Sequence, residues 1–340
     1  MYNQGNLTDA QLTISKNLSK LSSDGLLSKH SVMLAFLPRD QTMANKYRNK
    51  IKNLAANENM ASQCERGILD LKNKALEILI SINSKAGGQF EHCPDLAEPG
   101  TFFISYDVSR QGGQSVGAGV GVFGSNGTVF QHVFSNRQKG EALDKNFLRN
   151  SLKDFIDKAK IGSETLKHLV VLRDGHFVWN ISKEVDTLEQ VAHEYGISVT
   201  FVEVTKSGPD MSRFIYIEEH HVHSKSEPES QEQKSFKVEI PHSGVYFSLS
   251  ANTAILNTIG TGQPTDNWTG RGMPEPVIIK KIKGIASHDQ IVKWYYHLSC
   301  VKAYSNRTTR LAICHHLADR AAKDRLDGII YPQVRGLHAA

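Results

Sequence analysis

Three short apolar runs, linked by glycine-rich turns, follow one another between residues 102 and 134. Their length and their β-branched and aromatic residues predict three consecutive strands. Apolar residues at helical spacing predict a helix over 142–160. The pattern then predicts strands at 168–172 and 199–204, with a helix at 185–195 between them. The order βββαβαβ indicates an α/β domain built on one large sheet.

A shorter unit precedes this domain. The run VMLAFL (32–37) predicts a buried strand that Pro38 closes. A polar, lysine-rich helix over 42–54 and an amphipathic helix over 66–83 follow it. The polar stretch that ends in Glu98-Pro99-Gly100 predicts a domain boundary. One strand with its helices is part of an α/β layer and not a complete one.

The last third of the chain is more irregular. The polar run over 219–235 predicts a solvated loop. Beyond it the pattern predicts three short strands and two helices, at 236–240, 245–249, 276–281, 287–303 and 310–325. The glycines of GAGVGVFG (117–124) do not have the spacing of a dinucleotide-binding loop between a strand and a helix, so a glycine-rich β-hairpin is the better interpretation.

Composition excludes several classes of protein. No apolar run reaches the length of a membrane span, and the polar N-terminus is not a signal peptide, so we expect a cytoplasmic protein. The formal net charge of +5 is compatible with a polyanionic partner but does not identify one. The four cysteines contain no C-x-x-C pair, and adjacent helical positions keep Cys314, His315 and His316 from converging on a zinc ion.

Two aspartates lie at the predicted ends of strands, where α/β folds usually place their catalytic or binding residues. Asp107 ends the first strand of the larger domain, and Asp174 ends a later one. Adjacent parallel strands would bring both carboxylates to one edge of the sheet. Divalent cations such as Mg²⁺ or Mn²⁺ would offset their repulsion. Taken singly, each aspartate is more typical of a residue that starts a turn.

Four strings in the larger domain, in their order along the chain, resemble the PIWI domain of an Argonaute. They are YDVS (106–109), RDG (173–175), VTKSGPDMSRF (204–214) and LADRAA (317–322). The resemblance implies a ribonuclease H-like fold and a metal-dependent endonuclease. It assigns 99–340 to a PIWI domain.

The family's four catalytic positions are matched one at a time. Asp107 resembles the first aspartate, Glu141 the glutamate that enters on a mobile finger, and Asp174 the second aspartate. Asp319 falls where the family has a final Asp or His, and a shifted helix would put His315 or His316 there instead. Glu141 also stands at a helix start, where the helix dipole alone favours a carboxylate.

The resemblance implies a two-metal mechanism. Two Mg²⁺ or Mn²⁺ ions would bind the scissile phosphate, with Asp107 bridging them and with Asp174 and Asp319 holding one each. Lys206 and Arg213 match a basic pair that contacts the guide backbone in the family. Ordinary surface charge is the alternative explanation for this pair.

The first unit resembles the second half of an Argonaute MID domain, through VMLAFLP, MASQC (60–64) and INSKAGG (82–88). This assigns 1–98 to a partial Rossmann-like MID domain that binds the guide 5′ end. The implied 5′-phosphate ligands are Tyr47, Lys50, Gln63, Lys85 and the Ala340 carboxylate, the last through a further metal ion. The family's lysine position four residues after Tyr47 is Ile51 here. Lys50 or Lys52 must substitute, or Lys46 takes the tyrosine's role and Lys50 follows it.

The expected function is therefore hydrolysis of a complementary DNA or RNA target, directed by a short 5′-phosphorylated guide DNA or RNA, in defence against foreign DNA. The alternatives are a guide-binding module that does not cleave alone and a ribonuclease H-like nuclease without a guide. The N-terminal and PAZ domains and half of MID have no counterpart. The chain is thus a fragment, a reduced protein, or one that a partner protein completes.

Overall fold

A computed structural model describes most of the two units. The described residues are 31–58, 60–66, 96–125, 127, 129–160, 165–177, 181–207, 216–222, 233–239, 241–259, 275–301 and 309–329, with parts of 14–25 and 75–83. Among these residues, no helix is long and apolar enough to cross a membrane.

The described part of the first unit contains a two-stranded parallel sheet, the helix that connects its strands, and further helical residues within 14–23 and 75–83. Strand β1 (Val32–Leu37) pairs with β2 (Ala61–Arg66), and helix α1 (Gln41–Asn57) connects them. The helix begins where the Asp40 carboxylate accepts a hydrogen bond from the Met43 N–H at 2.8 Å, which satisfies an amide that has no partner within the helix. A parallel pair needs such a crossover connection.

The second unit is built on one eight-stranded sheet with the order β10-β11-β12-β7-β6-β3-β4-β5. Its strands are β3 (Thr101–Gln111), β4 (Gln114–Phe123), β5 (Val129–Phe134), β6 (His168–Asp174), β7 (Ser198–Thr205), β10 (Tyr246–Ser250), β11 (Thr253–Leu256) and β12 (Val277–Lys283). The central strands β3, β6 and β7 are parallel to one another, and the other pairings are antiparallel.

Helices cover both faces of this sheet. They are α2 (Lys145–Lys160), α3 (Ile181–Glu194), α4 (His288–Cys300) and α5 (Ile313–Leu326). Side chains alternate along β3, so Phe102, Ile104 and Tyr106 join the core beneath α2 and α3, whereas Phe103 joins the core beneath α4 and α5. The central strands are buried on both faces, as parallel strands usually are.

The glycines of β4 provide space for aromatic side chains. A Cβ atom on Gly119 would lie 2.8 Å from both the Tyr106 ring and Val133, and one on Gly121 would lie 2.6 Å from the Phe130 ring. This packing explains the glycine-rich string without any nucleotide. The predicted β-hairpin with β3 is observed.

The order βββαβαβ and both C-terminal helices are observed, so the predicted α/β class is confirmed. The loop predicted over 219–235 is wrong at both ends. Strands β8 (Tyr216–Val222) and β9 (Gln233–Glu239) form an antiparallel pair there. Strand β11 was also not predicted, since it is only four residues long.

Candidate active site

The strand register brings Asp107 and Asp174 together. Tyr106 on β3 lies opposite Arg173 on β6, and the next residue of each strand is an aspartate. Because neighbouring residues of a strand point to opposite faces, both carboxylates lie on the side covered by α5. Gly175 follows Asp174 with a φ of +78°, a conformation that glycine adopts readily, and turns the chain away from the sheet edge.

Helix α5 adds the third carboxylate. Ligand oxygens of Asp107, Asp174 and Asp319 all lie within 4.8 Å of one another, and we call these three residues the acidic cluster. Asp319 reaches the cluster because α5 packs across β3 and β4, close to the strand ends. The structure brings Asp319, and not His315 or His316, into this group.

Lys206 lies inside the acidic cluster. It follows the end of β7, on the same face as Val204, and its Nζ donates to Asp174 Oδ2 in a very short contact and to Asp319 Oδ1 at 2.8 Å. A second ammonium, Lys323 Nζ, lies 2.6 Å from the other oxygen of Asp319. The resemblance implied that Lys206 contacts the backbone of a guide. In the structure, its partners are the carboxylates of Asp174 and Asp319.

Burial and charge act differently on the three aspartates. Burial, together with the charge of Asp174, raises the pKa of Asp107 to about 7. Burial also acts to raise the pKa of Asp174, but the charges of His315 and Lys206 and the hydrogen bonds from Lys206 and Asp107 outweigh it, so that pKa lies below its ordinary value. His315 contributes because it is protonated in the acid range where Asp174 titrates. Against its burial, hydrogen bonds from Lys206 and Lys323 lower the pKa of Asp319 to about 2.

The donor set of the acidic cluster fits a hard divalent cation. Mg²⁺ and Mn²⁺ prefer carboxylate oxygens, and three such groups converge here. The ammonium that bridges Asp174 and Asp319 shows that a positive charge is held at this point. Within the described part of the chain, the three aspartates are therefore the group that could hold a metal.

Glu141 lies on the rim of the cleft and outside the acidic cluster. Its carboxylate is exposed and pairs with Arg110 at 2.8 Å. An open cleft of about 590 Å³ is lined by the acidic cluster, Glu141, Arg110 and Lys206, among others. Glu141 thus shares the cleft of the predicted catalytic aspartates without contacting them.

Sequence reasoning missed two buried residues that hold the backbone around Glu141. The Arg173 guanidinium donates to the Glu141 carbonyl at 2.9 Å and lies 3.5 Å from the Glu184 carboxylate. Glu184 in turn accepts from the Leu143 N–H at 2.8 Å. The one sequence feature that pointed to Arg173 is its place directly before Asp174 in the string RDG. Glu184 lies in the first turn of α3, and no sequence feature distinguished it.

His315 lies behind the acidic cluster. It is fully buried, and its Nε2 is 4.0 Å from Asp174 Oδ1. Neither ring nitrogen has a hydrogen-bond partner among the residues that the structure describes. Burial lowers its pKa to about 4, so the ring is neutral at pH 7. Its contact with Asp174 places it beside the site and not in it.

The residues predicted to bind a guide 5′ phosphate are described only in part. Tyr47 and Lys50 are half-buried on α1. On β2, the Gln63 amide oxygen accepts from the Ser81 hydroxyl at 2.7 Å, and its nitrogen donates to Glu65. Three predicted ligands, Lys85, Arg213 and Ala340, lie outside the described residues.

Lys52, which the sequence offered as a substitute for Lys50, has a different partner. It is buried, and its ammonium donates to Asp324 of α5 at 3.0 Å. Because this carboxylate lies in the larger unit, Lys52 joins the two units.

The chain resembles solved Argonaute and Piwi structures over nearly its whole length. With Clostridium butyricum Argonaute, bound to a guide DNA and a 19-mer target DNA, it shares 20% identity over 96% of this chain, with a TM-score of 0.71. With Drosophila Piwi it shares 16% identity over 97% of this chain, with a TM-score of 0.69. A. aeolicus Argonaute gives 18% identity over 92% of this chain and a TM-score of 0.56.

The matches cover 41%, 44% and 41% of those three chains, respectively. No protein-family model matches the sequence, and no curated protein matches it in a sequence search. At this level of identity the likeness establishes a shared fold. It confirms the predicted α/β architecture with MID-like and PIWI-like parts.

Proposed function

We propose that this chain is a guide-directed endonuclease that hydrolyses one strand of a complementary nucleic acid. The observation that carries the proposal is the convergence of Asp107, Asp174 and Asp319 at one sheet edge of an Argonaute-like fold. Three carboxylates at an open cleft are unfavourable unless cations hold them there. A phosphodiester backbone would bring further negative charge to the same cleft. Divalent metal ions would offset the charge of the carboxylates and that of the phosphodiester.

Asp107, Asp174 and Asp319 are the residues that would hold Mg²⁺ or Mn²⁺ in this proposal. Divalent cations at such a site supply an activated water and stabilise the charge that develops on the leaving oxygen. The open cleft of about 590 Å³ supports a place for the scissile phosphate beside the cluster. Glu141 supplies a fourth carboxylate from the rim, after exchanging its ion pair with Arg110 for a place at the cluster.

The smaller unit, residues 1–98, is proposed to hold the guide. Tyr47, Lys50, Gln63 and Lys85 would bind its 5′ phosphate, with the Ala340 carboxylate contributing through a metal ion. Lysine ammonium groups bind phosphate as point charges. Residues 99–340 would then hold the guide–target duplex, with Arg213 on the guide backbone. A cytoplasmic role in defence against foreign DNA is part of the same proposal.

The relatives of known structure carry the nucleic-acid part of the proposal. The Clostridium butyricum protein is bound to a guide DNA and a target DNA, and an A. aeolicus Argonaute carries an externally bound siRNA. By analogy, the partners of this chain are a short guide and its complementary target. The chain spans less than half the length of these relatives, and a protein that supplies further domains is therefore a third proposed partner.

A cleavage assay tests the proposal. The chain is incubated with 5′-phosphorylated DNA or RNA guides, labelled complementary and non-complementary targets, and Mn²⁺. We expect one cut in the complementary target alone, and we expect Asp107→Ala to abolish it. The matched control is Asp186→Ala, which removes an exposed carboxylate of α3 on the far face of the sheet.

Two other results would replace the proposal. Tight guide binding without any cut, with every guide chemistry tried, would leave a guide-binding module. Cutting that does not depend on the guide would indicate a ribonuclease H-like nuclease of another kind. For the 5′-phosphate ligands, equal affinity for 5′-phosphate and 5′-hydroxyl guides would remove the assignment.

A further inference from the structure

The position of Lys206 has a consequence for metal binding. Its ammonium lies between Asp174 Oδ2 and Asp319 Oδ1. The same two residues, with Asp107, offer the oxygens that lie within 4.8 Å of one another. A divalent cation bound at about 2.0–2.6 Å from its oxygen ligands would need the space that this ammonium fills. The lysine and a metal ion therefore compete for the same carboxylates.

We propose that Lys206 is the resident counter-ion of the acidic cluster in the metal-free protein, and that its ammonium must leave Asp174 and Asp319 before a divalent cation binds there. Lys206 thus keeps the carboxylates assembled in the absence of metal and lowers their affinity for it. This inference rests on the proposed function, because it assumes that the acidic cluster is a metal site.

The surroundings of Lys206 allow such an exchange. Its carbonyl accepts a hydrogen bond from Arg310, which also donates to the Pro276 carbonyl at 2.9 Å, so the backbone at this point is held in place. The side chain is 29% exposed and lines the open cleft. Only rotations about side-chain bonds are needed to move the ammonium from the carboxylates into the cleft.

Lys323 provides a matched comparison. Its ammonium also contacts Asp319, at 2.6 Å, but on the outer oxygen, Oδ2. It is 59% exposed, and it pairs with Asp319 and not with Asp174. A metal ion shared by Asp174 and Asp319 would leave Lys323 in place, since the ion and this ammonium use different oxygens. Both lysines carry the same charge, so comparing them separates occupation of the site from general electrostatic repulsion.

The test measures Mn²⁺ binding by calorimetry, and thermal unfolding with and without Mn²⁺, in the full chain. We expect Lys206→Met to bind Mn²⁺ at least about tenfold more tightly, because it removes a competing charge from within hydrogen-bond distance. Its metal-free Tm should fall below that of the unmodified chain, since three carboxylates lose their counter-ion, and Mn²⁺ should restore it. Lys323→Met should change the Mn²⁺ affinity much less.

A charge-preserving variant covers the case in which Lys206→Met does not fold. Lys206→Arg keeps a competing cation and should show no gain in Mn²⁺ affinity. Equal Mn²⁺ affinity in the unmodified chain and a folded Lys206→Met variant would overturn the counter-ion role and leave the proposed nuclease function intact. If neither Lys206→Met nor the unmodified chain binds Mn²⁺, the metal site fails, and the proposed function fails with it.

Discussion

The Lys52 ammonium donates to the Asp324 carboxylate at 3.0 Å, across 272 residues of chain. Both side chains are buried, one on α1 and the other on α5. Arg48 and Arg320 approach the same carboxylate at 3.5 and 3.2 Å. Asp324 lies five residues after Asp319 on the same helix, so the first unit is attached directly to the helix that completes the acidic cluster.

Asp324→Ala should therefore destabilise the chain by about 3 kcal/mol, because it leaves the buried Lys52 ammonium without its partner. Lys52→Met should cost less, since Asp324 retains Arg48 and Arg320. Urea denaturation measures both changes, and Asp327→Ala, at an exposed position just after α5, is the control. Equal stability of Asp324→Ala and the control would mean that the ion pair does not hold the units together.

Glu184→Ala should loosen the segment that carries Glu141. The substitution removes the acceptor of the Leu143 N–H and the carboxylate beside the buried Arg173. Hydrogen exchange should show faster exchange at residues 141–143, while α2 keeps its protection. Glu194→Ala is the control, because Glu194 lies on the same helix but pairs with the surface residue Arg149. Unchanged exchange at 141–143 would argue against a positioning role for Glu184.

Asp107→Asn should raise the stability of the metal-free chain, by on the order of 1 kcal/mol, while abolishing cleavage. The variant keeps the shape of the side chain but removes one of three neighbouring negative charges from a largely buried position. Sites arranged for function often carry such a cost in stability. Thermal unfolding in EDTA at pH 8 measures the gain, and a lower Tm than that of the unmodified chain would contradict it.

The sequence predicted the strands that contain Asp107 and Asp174 because each aspartate directly follows an apolar run, and burial of a run is a local property. The predicted strand end at Asp107 is wrong, since β3 continues to Gln111, whereas β6 does end at Asp174. It could not show that Tyr106 and Arg173 are in register, which is what makes the carboxylates neighbours. Asp319 was reached only through the family resemblance, since one acidic residue on a charged helix has no distinguishing pattern.

The position of Lys206 could not be predicted either. A lysine after a strand is usually solvated, and only the assembled sheet edge and α5 provide two carboxylates for it. The pairs Arg173–Glu184 and Lys52–Asp324 join residues far apart in sequence, and no local pattern marks them. Strand β8 and the first residues of β9 were missed because they are polar, whereas the strand predicted at 236–240 overlaps the rest of β9.

His168 should make the stability of the chain depend on pH. Its ring lies against Trp294, and its Nε2 lies 2.9 Å from the Thr200 hydroxyl. Burial lowers its pKa, although Glu98 acts in the opposite direction. Below the ordinary histidine pKa of about 6.5 the unfolded chain takes up a proton that folded His168 does not, so the free energy of unfolding falls as the pH falls. This contribution to the free energy of unfolding is complete above about pH 6.5 and changes by at most about 1.4 kcal/mol per pH unit.

Urea denaturation at pH 7.5 and 5.5 measures this dependence. The free energy of unfolding should differ less between the two pH values in His168→Gln than in the unmodified chain. Other buried histidines, such as His315, are the same in the unmodified chain and in His168→Gln, so they do not affect the comparison. The control is His193→Gln, which alters an exposed ring at the end of α3 and should show the same difference in free energy of unfolding as the unmodified chain. An unchanged pH difference in His168→Gln would show that His168 does not contribute.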